Sequence, residues 1–96
     1  MSPAKRKKLI KLRKQLDALD NVFIKLIKKR TIIVDQVLKL KDFKNQIVDK
    51  KRIKIILGKI KRKSIKHNID HKITRRIWKN MIWSYIDYER RNFKKK

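Results

Sequence analysis

The stretch Leu26–Val34 reads LIKKRTIIV, and it decides the fold because it puts Arg30 where the surrounding pattern asks for a hydrophobe. Reading outward, the apolar positions are Leu9, Leu12, Leu16, Leu19, Phe23 and Leu26 on one side and Ile33, Val37 and Leu40 on the other. Their steps alternate between three and four, the heptad-type stripe of one long helix that packs along its length against other helices. Arg30 falls inside that stripe. A guanidinium cannot shed its charge, so a core position is costly for it unless an anion meets it there. Two readings stand side by side: the side chain snorkels to the bundle edge or pairs with an internal acid, or it faces an anionic ligand.

A chain of 96 residues is expected to form a single domain, residues 1–96, with only a modest core per copy. Without cysteine there is no disulfide framework, no thiolate metal site and no cysteine nucleophile. The opening MSPAKRKKLIKLRKQ is charged throughout and lacks the apolar run of a secretory signal. No stretch is apolar enough to span a bilayer. A cytoplasmic protein with no membrane partner is the expectation.

The net charge of +24, from 32 basic against 8 acidic residues, makes nucleic acid the first partner class to weigh. Against it, the lysines are spread over all segments, and Lys, Ile and Asn are jointly abundant, as an A+T-rich coding sequence gives without selection for binding. Nucleic acid is therefore not the preferred partner. Because lysine dominates the basic set, an arginine at a seam position carries more information than another surface lysine.

One proline and one glycine leave little punctuation. Ser2 and Pro3 read as an N-cap and first helical position, so helix 1 is expected over about 3–41. KDFKNQIV then loses the period and reads as a connection. Helix 2 is expected over about 49–63, with Ile53, Ile56, Leu57 and Ile60 in helical phase and Gly58 weakening it slightly. Lys63 to Asp70 reads as a second connection, with Asp70 an N-cap for helix 3 over about 71–92. Helix 3 is expected to bury Ile73, Ile77, Trp78, Met81, Ile82 and Tyr85. The result is an all-α chain of one long and two shorter helices. Helices 2 and 3 are too short to cover helix 1, which points to an intertwined homodimeric bundle in which each protomer completes the other's core.

Several polar residues fall in register with this core. At about 100° per residue, Lys41 returns to within about 20° of the side of Arg30, so both can point into one cavity. Arg13 lies about 25 Å from Arg30 along an ideal helix and can share such a cavity only from a partner chain. Asp49 and Arg52 are three apart on helix 2 and occupy neighbouring positions; taken alone, the preferred account of them is a dipole-favouring acid with a nearby ion pair. On helix 3, Trp78, Ile82, Tyr85 and Glu89 form one stripe. Partial burial at Glu89 favours a protonated, hydrogen-bond-donating carboxyl, with a salt bridge to one of the many basic residues near the C-terminus as the alternative. His67 and His71 are four apart but straddle a helix start without a supporting cluster, so no metal is expected. There is no glycine-rich phosphate loop and no serine, histidine and acid set for nucleophilic catalysis. Several cations, one or two carboxyls and no nucleophile suit a reaction that needs charge stabilisation and a held conformation.

The order LRKQLDALD, LIKKR, LKLK, DKKR and IWKNMIWSYIDYE resembles the all-helical chorismate mutase family, from about Leu9 to Phe93. The resemblance implies an intertwined three-helix homodimer that rearranges chorismate to prephenate, on the way to phenylalanine and tyrosine, without cofactor or metal. It further implies that Arg13, from the partner chain, and Arg30 each bind a substrate carboxylate. Lys41 matches the lysine that hydrogen-bonds a carboxylate and the breaking ether oxygen. Asp49 and Arg52 match the helix-2 pair, with Asp49 near the substrate hydroxyl. Glu89 matches a position, usually glutamine, that donates to the ether oxygen. The chain departs from the pattern at Ile53, where a glutamate often stands, which leaves hydroxyl recognition to Asp49. It departs again at Tyr85, which aligns with a serine, and at Glu89, which can donate only when protonated, so that activity should fall as pH rises. Tyr85 and the helix-3 pattern are also similar to isochorismate pyruvate lyases, which share the fold. That lyase, acting in the same pocket, and a basic helical nucleic-acid binder are the alternatives to the mutase.

Overall fold

The computed structural model describes residues 1–94; the last two residues of the expected domain lie outside them. Three α-helices follow one another: α1 at Pro3–Lys39, α2 at Lys50–Lys66 and α3 at His71–Asn92, with a 3₁₀ turn at Lys44–Gln46 between the first two. No strand occurs among the described residues, so the class is all-α. The chain divides into two compact units, Met1–Ile33 and Val34–Lys96.

The first unit is helix alone. Ser2 starts it, its hydroxyl accepting from the Lys5 N–H at 3.2 Å and its carbonyl from the Arg6 N–H at 2.9 Å, which satisfies two of the free donors of a helix N-terminus. Leu12, Leu16, Leu19, Phe23, Leu26 and Ile33 of the stripe are all exposed in the single chain.

In the second unit, α1 stops at Lys39, two residues before the expected boundary. Leu40 and Lys41 donate to the carbonyls three residues back, at 3.0 and 3.1 Å, the tightened last turn with which helices often end. The next two backbone N–H groups, of Asp42 and Phe43, are both taken by the Gln46 side-chain oxygen at 2.8 and 2.9 Å. That glutamine turns the chain out of the helix, and the rotation count linking Arg30 to Lys41 therefore runs through regular helix only as far as Lys39.

α2 extends past the expected end, to Lys66, because Ser64 is satisfied where it stands. Its hydroxyl donates to the Ile60 carbonyl at 2.6 Å and lies 2.7 Å from the Thr74 hydroxyl on α3, and only 3% of the residue is exposed. A serine so bonded does not need to leave the helix. The helix ends instead in a Schellman motif: the Asn68 N–H reaches the Ile65 carbonyl, the Ile69 N–H reaches that of Ser64, and Asn68 takes φ 56°, the left-handed conformation asparagine tolerates better than most residues. Asp49 and Asp70 cap α2 and α3, accepting from the N–H groups of Arg52 and Lys72.

The core of this unit is small. Leu38, Ile47 and Ile86 are buried, with Val48, Ile53, Ile82 and Phe93 packed against them, where the end of α1, the connection and α3 meet. Ile73 and Ile77, expected to be buried, are exposed. Trp78, Met81, Ile82 and Tyr85 are half-buried, and Ile86 takes the innermost place. In a single chain α3 has too little neighbouring surface to cover the whole of its apolar stripe.

Candidate active site

Lys41 and Glu89 face each other in the second unit. The Lys41 ammonium donates to Glu89 Oε2 at 2.9 Å, with side-chain exposures of 20% and 9%. Lys41 is placed by the tight turn closing α1, Glu89 by the last turn of α3, one turn beyond the core residue Ile86. A carboxylate this deeply enclosed is costly without a partner, and the ammonium supplies a charge-assisted hydrogen bond. An ammonium has three donors, and this contact uses one of them. The basic partner of Glu89 is thus Lys41, 48 positions away at the end of α1, and not one of the basic residues near the C-terminus that the sequence offers as the alternative.

Asp49 and Arg52 are joined differently from an ion pair: the carboxylate accepts the Arg52 backbone N–H at 3.0 Å, and both residues are exposed. Asp49 is thereby the N-cap of α2. Tyr85 is half-buried, its ring edge-on to Tyr88 with centroids 6.4 Å apart. Arg13 and Arg30 lie in the first unit, exposed on α1. Of the seven residues singled out by sequence, the structure brings Lys41 and Glu89 into contact and links Asp49 to Arg52 through the backbone.

Sequence reasoning missed a second long-range contact. The Tyr88 hydroxyl donates to Asp35 Oδ1 at 2.7 Å, tying α3 to the last turns of α1. The hydrogen bond to the carboxylate raises the phenol above its usual value, loss of solvent and the Asp35 charge act in the same direction, and Arg91 opposes them. The Arg91 guanidinium lies 6.0 Å from the centre of the Tyr88 ring. The only sequence signal was the scarcity of acids: with 8 against 32 cations, an aspartate on a helix is conspicuous. A cleft of about 360 Å³ opens beside this pair, lined by Asp35, Leu38, Tyr88 and Phe93 among others. A second, of about 250 Å³, is lined by Leu57, Ile60, Lys61, His71 and Arg75. Neither is lined by Lys41 or Glu89. No helix among the described residues is long and apolar enough to cross a membrane.

The family model for chorismate mutase type II matches residues 12–90, a span that holds all seven of the residues named above. No curated protein and no solved structure matches the chain. A match over most of the sequence, on a three-helix, strand-free chain with an enclosed lysine and glutamate at two of the expected positions, shows that the chain belongs to the chorismate mutase type II family.

Proposed function

We propose that the protein is a cofactor-independent chorismate mutase, an intramolecular isomerase that converts chorismate to prephenate in the cytoplasm. The observation that carries the reading is the enclosed Lys41–Glu89 contact, which joins the two residues that the resemblance assigns to the breaking ether oxygen. In the rearrangement one C–O bond breaks as one C–C bond forms, with no net proton transfer. The enzyme's task is to hold the enolpyruvyl ether in a chair-like conformer and to meet negative charge on its oxygen. Preorganised donors of this kind are worth a few kcal/mol each, and a held conformer removes much of the entropic barrier.

In this reading the protein works as a homodimer. The exposed apolar residues of α1 are the surface a second copy covers, and Arg13 from one chain and Arg30 from the other grip the two carboxylates. Lys41 donates to the ether oxygen. Glu89 donates to the same oxygen in its protonated form, and as a carboxylate it orients the Lys41 ammonium. Asp49 offers its second oxygen to the substrate hydroxyl while the first caps α2, and Arg52 and Tyr85 line the same pocket.

The test is chorismate consumption by the purified protein across pH, with product identification and isochorismate as a second substrate. Prephenate is the expected product. Salicylate and pyruvate from isochorismate, with chorismate untouched, assigns the pocket to the lyase. No turnover of either substrate, together with steeply salt-dependent nucleic-acid affinity, removes both.

A further inference from the structure

We propose that Asp35 and Tyr88 are positioning residues for the reaction: their hydrogen bond sets the roll of α3 against the end of α1, and so fixes Glu89 relative to Lys41. The inference rests on the mutase reading above. Four observations carry it. First, the contact spans the same two regions as the Lys41–Glu89 pair, from the last turns of α1 and the residue just beyond it to adjacent residues of α3. Second, Tyr88 and Glu89 are consecutive, so their side chains leave α3 about 100° apart. The Ser64–Thr74 contact holds the start of α3 against α2; at its other end, against α1, one contact alone leaves the roll of the helix free, and two at that angle do not.

Third, the apolar contact between these regions is slight, centred on Leu38 and Ile86 with Phe93 beside them, and hydrophobic contact is non-directional. The hydrogen bond supplies the direction that packing lacks. Fourth, a cleft of about 360 Å³ opens beside the pair, so the contact is not closed over by side chains on that side. The phenol bonds a carboxylate, and hydrogen bonds to charged groups are the stronger kind. A donor displaced by about 1 Å can cost on the order of 10²-fold in rate, which makes a bond at this joint matter to chemistry it never touches.

The experiment compares Tyr88→Phe, Asp35→Ala, the double variant and Asp35→Asn with the wild-type protein, in kcat and KM for chorismate, well below the melting temperature of every variant. Tyr88→Phe and Asp35→Ala should each lower kcat about tenfold, with KM within about threefold. The double variant should lose no more than either single. Asp35→Asn keeps an acceptor and should stay within about threefold of wild type. Wild-type kcat in Tyr88→Phe overturns the proposal, as do losses that multiply in the double variant, or a loss that vanishes on cooling because it reflected unfolding alone. An inactive wild-type protein overturns the mutase reading and this role with it. Absorbance titration of the phenols separates that case from a missing contact: a lower Tyr88 titration in Asp35→Asn than in wild type supports the bond, and identical titrations remove it whatever the activity.

Discussion

Lys41 and Glu89, 48 positions apart in sequence, meet at 2.9 Å in a place where neither side chain is fully solvated. The ammonium is both the partner of a buried acid and a donor proposed to act on substrate, so its removal has two separable effects. Lys41→Ala should lower kcat/KM by about 10²-fold or more. It should also cost about 1–3 kcal/mol of stability, the penalty of a buried polar group left unsatisfied. Urea unfolding and steady-state kinetics measure the two independently. Unchanged stability would show that the pair is not formed in solution.

Arg30→Ala should behave in the opposite way. The side chain is exposed in the single chain, so its loss should leave helicity and association intact while turnover falls at least about 10²-fold, as for loss of one preorganised charged donor. Circular dichroism, sedimentation and kinetics together check this. Wild-type turnover would remove the arginine from the site.

Ser64→Ala takes away a hydroxyl bonded to the Ile60 carbonyl and placed 2.7 Å from the Thr74 hydroxyl. Thr74 still reaches the His71 carbonyl, at 3.3 Å, so the loss should be about 1–2 kcal/mol. Thermal unfolding should register it, with the catalytic constants at low temperature unaltered.

Tyr88 is held above the usual phenol value, first by its bond to Asp35, and the sign of its linkage follows. A raised native value means that the folded state favours the protonated phenol. Its contribution is complete below the unfolded value near 10, and is lost as pH rises through the native one. The melting-temperature difference between wild type and Tyr88→Phe should therefore shrink from pH 8 to strongly alkaline pH. A difference that stays constant over that range would contradict the bond. Taking the difference cancels the parallel discharge of the lysines, which both proteins share.

The sequence made the helices legible because their signals are local. Three apolar periods, a serine–proline start and an aspartate before α3 needed nothing beyond neighbouring residues. The ends were less legible, because they were set by side chains acting at a distance: Gln46 folding back on the Asp42 and Phe43 N–H groups, and Thr74 of α3 meeting Ser64 of α2. The candidate site divides in the same way. The positions of Arg30, Lys41 and Glu89 stood out against the apolar stripes. That Lys41 and Glu89 touch, and that Asp35 meets Tyr88, depended on the angle at which α3 returns, which no periodicity encodes. Exposed Ile73 and Ile77 mark the converse limit, since a pattern shows which side is apolar and not what covers it.

The shortage of acids has a consequence for how this chain can change. Asp35, Asp49, Asp70, Asp87 and Glu89, five of its eight acidic residues, each accept a specific hydrogen bond at a cap or between side chains. Further drift toward lysine on open surface meets little resistance. Drift that erases one of these carboxylates removes a helix cap or a side-chain contact, and the chain has only three other acidic residues.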